Sequence, residues 1–151
     1  MDVLQALKTT FIFRDVPESI LKLVAQCAEQ RKLPGGDPIV SEDQVVESLY
    51  VICSGSVRGF RHGDATHVQM GPGQAFGQLS LLDGGPVGIS ATTLEPTELL
   101  VLPAARLREI LGKNHEAGHY FFRGVAKSLA QRLRTAVNAL ELAREGSARA
   151  K

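Results

Sequence analysis

GPGQAFGQLSLLDGGPVGISATT, residues Gly71–Thr93, is the stretch on which the reading of this chain turns. Its glycines let the backbone take positive φ and come close to a partner. They precede Gln78-Leu79-Ser80-Leu81-Leu82, long enough for one helical turn or slightly more. The N–H groups at the start of such a turn, with its dipole, form an anion site. The turn breaks at Asp83-Gly84-Gly85-Pro86, and Val87 to Thr93 reads as a strand returning to the body. A loop, a short helix and a return strand make a cradle.

Outward from the cradle, short strands alternate with turn residues. Ile39-Val40, Leu49 to Ser54, Val57 to His62, His67 to Met70, Ile89 to Thr93 and Glu98 to Leu102 read as strands. Pro34-Gly35-Gly36-Asp37, Gly55-Ser56, Gly63-Asp64, Gly71-Pro72-Gly73 and Glu95-Pro96 separate them. Many short strands with regular turns predict a β-sandwich or jelly-roll barrel. In the strand from Leu49, residues Leu49, Val51 and Cys53 share one face and Tyr50 and Ile52 the other. Both faces are apolar, which predicts a central strand.

Helical patterns lie at both ends. Met1 to Lys8 reads as a short helix or a loose end. Beyond Pro17, which suits a first helical turn, Ile20, Leu21, Val24, Cys27 and Ala28 fall on one face. Pro103 to Leu111 predicts a helix stopped by Gly112. From about Glu116 to Arg144 a stripe of Phe122, Val125, Leu129, Leu133, Ala136, Val137 and Leu140 recurs at spacings of three and four. Arg123, Lys127, Gln131, Arg134 and Asn138 occupy the opposite face. That stripe exceeds what one small barrel covers, which predicts a parallel pair with a second copy, through residues 120–142.

Composition sets the outer bounds. A chain of 151 residues with 44% hydrophobic content and net charge +1 suits one domain with a real core. The charge makes no general case for nucleic acid. There is no signal-peptide pattern and no apolar run of the ~18 residues that a membrane span needs. Cys27 and Cys53 are too few for a disulfide framework and fit a reducing cytoplasm.

Phe76-Gly77-Gln78-Leu79-Ser80-Leu81-Leu82, followed by Val87-Gly88-Ile89-Ser90, resembles the phosphate-binding cassette of the cyclic nucleotide-binding domain family, the sensor domain of Crp/Fnr-type regulators. That cassette runs roughly F-G-E-L/I-A/S-L-L and then R-A/S-A/T. Pro34-Gly35-Gly36-Asp37-Pro38-Ile39, Leu49 to Val57 and Glu98 to Leu102 agree in order and spacing, so the resemblance covers about residues 10–140. It implies a mainly β fold with flanking helices: a β jelly-roll (double-stranded β-helix) barrel, N-terminal helices and a long C-terminal dimerisation helix. The implied layout is a domain over 1–145, with a helical N-terminus 1–29, a β-roll 30–102 and helices 103–145, then a tail 146–151. Regulators of this family usually continue into a helix-turn-helix domain, for which the tail has no room. The implied dimer is the one the stripe predicts. Two cysteines are also too few for the four-thiolate iron–sulfur cluster that some relatives carry.

The resemblance implies a ligand site at Phe76, Gly77, Gln78, Leu79, Ser80, Val87 and Gly88, with Arg132 approaching from the long helix. In the family the cassette glutamate accepts from the ribose hydroxyl and the arginine neutralises the cyclic phosphate. Gln78 and Val87 stand at those positions. A neutral acceptor slips from ~1.5–3 to ~0.5–1.5 kcal/mol. A buried charge left without its partner costs about 2–5 kcal/mol, or roughly thirty- to several-thousand-fold in affinity. Gly88 removes a hydroxyl that some members place beside the phosphate, and Ala136 and Val137 stand where base-contacting hydroxyls would. Arg58 or Arg61 could supply the missing charge. Cyclic AMP or cyclic GMP is therefore expected to bind weakly.

His115-Glu116-Ala117-Gly118-His119 matches H-E-x-x-H, a zinc-site pattern with a glutamate base. A third ligand such as Glu141 would lie roughly 33 Å along the helix from His119, so neither a metal site nor an enzyme is expected. Three functions follow in order: a non-enzymatic ligand-sensing domain of cyclic nucleotide type, a ligand-free dimerisation module, and an enzyme resting on the zinc-like motif. A transcriptional role is expected only through a missing DNA-binding domain or a partner. Direct nucleic-acid binding and membrane association by this chain are not expected.

Overall fold

The structure is a computed structural model that describes residues 2–63 and 67–150, the side chain of residue 150 aside. Met1, Asp64 and Lys151, read above into the first helix, a turn and the tail, lie outside the described residues.

Asp2 caps the first helix, α1 (Val3–Thr9), by accepting from the Gln5 N–H. A 3-10 turn at Phe11–Phe13 leads to α2 (Glu18–Cys27), which begins after Pro17 and buries Ile20, Leu21 and Val24. Eight strands follow: β1 (Glu29–Leu33), β2 (Pro38–Val40), β3 (Ser48–Ser54), β4 (Val57–Phe60), β5 (His67–Met70), β6 (Ala75–Phe76), β7 (Ser90–Thr93) and β8 (Thr97–Pro103). The helix α3 (Gln78–Asp83) interrupts them, and α4 (Ala104–Lys113) and α5 (His115–Ala150) complete the chain.

The strands form two antiparallel sheets, ordered β1-β8-β3-β6 and β2-β7-β4-β5. β3 lies inside its sheet, and its period of two sends its faces into separate cores. Leu49 and Val51, with Leu100 and Leu102 of β8, pack under the helices on Leu21, Val24, Leu107 and Phe121. Ile52 and Leu99 face the other sheet with Val40, Val57, Met70, Phe76, Val87 and Ala91. The apolar character of both faces of β3 is thus explained, and the expected mainly β roll with flanking helices is the observed architecture.

Several boundaries differ from the sequence reading. β1 was not expected, because Glu-Gln-Arg-Lys-Leu carries no apolar alternation; it pairs along a sheet edge with β8 in register Glu29↔Val101 to Leu33↔Thr97. β7 begins at Ser90, since Gly88 takes φ +81° and breaks the extended run expected from Val87. α4 passes through Gly112 to Lys113, and the break falls at Asn114, whose side chain then caps α5 through the Ala117 N–H at 3.0 Å. The tail expected at 146–151 continues as helix through Ala150.

α5 packs its first three turns on the body. Phe121, not Phe122, enters the core, with its ring 5.3 Å from that of Phe13. At Gly124 an added Cβ would come 2.5 Å from the Ile12 carbonyl oxygen, so the helix and the 3-10 turn meet where only glycine fits. From Gln131 to Arg149 every residue is exposed as a whole, about 28 Å of helix, of which the Arg132 head group reaches back to the roll.

Candidate functional site

The cradle foreseen at Gly71–Thr93 exists, and local chemistry shapes it. Gly77 caps α3 with φ +95°, a conformation costly for any other residue. A Cβ there would also stand 2.7 Å from the Ser48 carbonyl oxygen of β3. Phe76, just before it, is buried and stacked on Tyr50, with centroids 5.0 Å apart. At the far end Gly84 (φ +72°) closes the helix by donating to the Ser80 carbonyl at 2.9 Å. The Gly85 N–H then donates to Asp83 Oδ1 at 2.8 Å.

Ser80 ties three segments together. Its hydroxyl donates to the Gly85 carbonyl at 2.7 Å and accepts from the Val46 N–H at 3.3 Å. The helix is thereby fixed both to its return loop and to the segment before β3. Gln78 and Ser80 are buried, whereas Leu79 and Leu82 face outward. Val87, in the return loop, is only 3% exposed and sits among the side chains between the sheets. Its N–H donates to the Gln44 carbonyl at 2.8 Å, and that of Gly88 to the Glu42 carbonyl at 3.1 Å.

Glu42 is the residue that sequence reasoning missed. It is buried, and its carboxylate accepts from the His62 N–H at 2.6 Å and from the Ser90 hydroxyl at 3.4 Å. The Ser90 hydroxyl in turn accepts from the Glu42 N–H at 3.1 Å. Arg61 Nε lies 3.5 Å from the same carboxylate. The side chain thus clasps the residues after β4 and the start of β7, while the Glu42 main chain holds the return loop through the Gly88 N–H. An acidic residue in a Ser-Glu-Asp turn gives no sign in sequence that it will be buried.

The two arginines considered as substitutes for the missing cassette charge are engaged elsewhere. Arg58 faces out from β4, opposite the buried Val57 and Gly59, and lies over the Phe60 ring at 4.9 Å. Arg61 pairs with Glu42. Arg132 does reach the roll from α5: its guanidinium donates to the Ala75 carbonyl at 2.9 Å, one residue before Phe76. Burial of that head group lowers its pKa, yet a guanidinium keeps its charge at any physiological pH. Arg108 of α4 donates to the Leu81 carbonyl at 2.8 Å. Phe76, Gly77, Gln78, Leu79, Ser80, Val87 and Gly88 therefore form one continuous cassette. The two C-terminal helices reach it through Arg132 at Ala75 and Arg108 at Leu81.

His115 and His119 lie on the exposed side of α5, and among the described residues no three His, Cys, Asp or Glu side chains gather as a metal would require. No helix among them is long and apolar enough to cross a membrane.

The family model of the cyclic nucleotide-binding domain matches residues 30–114. The cyclic AMP receptor protein of Thermus thermophilus is 32% identical over 140 residues, covering 90% of this chain and 63% of that protein. The crystal structure of the Thermus thermophilus catabolite activator protein superposes with a TM-score of 0.72 at 32% identity, over 88% of this chain and 62% of that one. The regulatory domain of Toxoplasma gondii PKA, crystallised with cAMP, gives a TM-score of 0.66 at 26% identity, over 72% of this chain and 42% of that one. The chain spans less than two thirds of each of these proteins.

Proposed function

Because the chain belongs to the cyclic nucleotide-binding domain family, we propose that it is a non-enzymatic regulatory domain. It senses a small ligand in the Phe76–Gly88 cassette and signals through α5 in a homodimer. Cyclic AMP, the ligand named for its relatives, is the first candidate, held here more weakly than by a complete cassette.

One observation carries this reading. The cassette keeps its shape, with Gly77, the Ser80 bridge and Gly84 in place, while Val87 stands buried in an apolar cluster where the family's arginine would meet the phosphate. A cyclic phosphate entering there would leave water and find no countercharge, which costs about 2–5 kcal/mol. Backbone N–H groups at the start of α3 and the nearby Arg132 remain as donors. A neutral ligand, or a cyclic nucleotide at high concentration, fits this chemistry better than tight cyclic AMP binding. Gln78 supports the same direction, since an amide oxygen accepts a ribose hydroxyl without the strength of a carboxylate.

The exposed leucines of α5 support the dimer. Leu133, Val137 and Leu140 lie on one face of the projecting helix, 65%, 44% and 62% exposed, and an apolar stripe of that length is stable in water when paired. A second reading rests on the same helix: a dimerisation module whose cassette is purely structural, favoured by the buried Val87. Where this chain is part of a longer regulator, a DNA-binding part would lie outside it. Two free cysteines fit a reducing cytoplasm.

Calorimetric titration with cyclic AMP and cyclic GMP, of the wild type and of a Val87→Arg, Gln78→Glu double variant, tests the proposal. Wild type weaker than about 10 µM, with a gain of at least about thirtyfold in the variant, is the expected result. Micromolar or tighter binding by the wild type would overturn the weakened-pocket reading. Silence of both proteins would leave the dimerisation module standing.

A further inference from the structure

Where α4 meets α5 the surface sinks into a concavity of about 600 Å³, apart from the cassette. Arg108, Arg123, His115 and His119 line it together with Leu111 and Phe122. Its opening depends on two glycines. At Gly118 an added Cβ would meet the Leu111 carbonyl oxygen at 3.1 Å, so the helices cross closely there. At Gly112 an added Cβ would meet nothing within 4 Å, so this position faces open space.

The charge at this place is one-sided. Glu109, the acid on α4, pairs with Arg106 and Lys113. Among the described residues no carboxylate pairs with Arg108 or Arg123. Two permanent cations therefore share the space with the two histidines of the H-E-x-x-H motif. That field opposes a metal cation and favours an anion. Guanidinium groups bind carboxylate and phosphate in two-pronged fashion, while Leu111 and Phe122 offer an apolar surface that a bare anion does not use. The volume falls within the ~300–1,000 Å³ usual for small-molecule sites.

We propose that this concavity is a second ligand site that takes a small organic anion: a carboxylate or phosphate head against Arg108 and Arg123, and an apolar body over Leu111 and Phe122. None of the residues that line it belongs to the Phe76–Gly88 cassette. Arg108 also holds the Leu81 carbonyl at 2.8 Å, so a ligand that draws on this guanidinium acts directly on the last turn of α3.

Phenyl phosphate is the probe, followed by amide resonances of the isotope-labelled full chain, with inorganic phosphate and phenol as its two halves. Saturable shifts at Gly112, His115 and Gly118 are expected, with phenyl phosphate at least about tenfold tighter than either half. Arg123→Gln should weaken it about tenfold or more, as loss of one charge-assisted contact does. Gly112→Leu should abolish it by filling open space. Both substitutions are at exposed positions, and the amide spectrum reports directly that the fold is kept. Val87→Arg should leave this binding within about twofold, because Val87 is not among the residues that line the concavity. The proposal is overturned if no saturable shift appears, if inorganic phosphate alone binds as tightly, or if the shifts cluster at Gly77, Ser80 and Gly88 and survive Gly112→Leu.

Discussion

Single residues decide whether this cassette holds its shape, and they do so in opposite directions. Gly77→Ala forces a Cβ into φ +95° and to 2.7 Å from a backbone oxygen. The expected loss in urea unfolding is about 1–3 kcal/mol. Gly112→Ala, in open helical surroundings, should instead gain about 0.4–1 kcal/mol by restricting the unfolded chain. Were the two variants to shift the midpoint equally, the local backbone conformation assigned to Gly77 would be wrong. Glu42→Ala leaves the His62 N–H and the Ser90 hydroxyl without their shared acceptor and should cost about 1–3 kcal/mol, with Glu42→Gln in between. The two thiols give a pH test. Burial pushes the Cys27 and Cys53 thiols up, so both ionise later in the folded chain than in the unfolded one. Their contribution is complete below the ordinary thiol pKa of about 8.5 and is lost as pH rises through the raised folded values. Stability should therefore fall between pH 7.5 and 10 more steeply in wild type than in a Cys27→Ala, Cys53→Ala double variant. At this scale the site was only partly legible. The glycine–leucine spelling gave the cassette, but the burial of Glu42 and the Arg108 bond to Leu81 depend on long-range partners that local pattern does not encode.

Secondary elements follow local pattern where one face is apolar and escape it where pairing alone makes them. β3, α2 and α4 each carry an apolar face at the right period, and each stands close to where the sequence predicts it. β1 does not: Glu29 to Leu33 holds two acids or amides and two bases, and its place comes from hydrogen bonds to β8. β6 has only two residues, paired to Tyr50 and Val51, which is too short for any periodicity. On α5 the period gave the stripe but misplaced its first member, because Phe121 and Phe122 are adjacent and only contact with Phe13 selects one. The same helix carries the assembly prediction. Leu133→Glu with Leu140→Glu places like charges on the exposed face without touching the core. Sedimentation should show the wild type as a dimer at tens of micromolar and this variant as a monomer whose unfolding midpoint under dilute conditions is unchanged. A wild-type monomer at that concentration would remove the paired-helix output.

Across the whole molecule, two bonds join the cassette to the helices that would carry its signal. Arg132 holds the Ala75 carbonyl at the strand entering the cassette, and Arg108 holds the Leu81 carbonyl in the last turn of α3. A ligand can shift α5 only through contacts whose energy differs between its two positions. Arg132 belongs to the proposed site, so its loss would confuse binding with transmission. Arg108 is on the far side of α3 and separates them. In the Val87→Arg, Gln78→Glu background, cyclic AMP is expected to change hydrogen-exchange protection along residues 120–142. Adding Arg108→Gln should leave the affinity within about threefold, since coupling energies of this kind are only about 1–3 kcal/mol in total. The exchange response should shrink by at least about half, the outcome expected when a transmitting contact is cut. An unchanged response would place transmission on the Arg132 bond or on the packing of Gly124 against Ile12. A large loss of affinity would instead make Arg108 part of the ligand site. The pair of measurements distinguishes a residue that transmits from one that binds, because linkage requires equal coupling in both directions while structure alone does not.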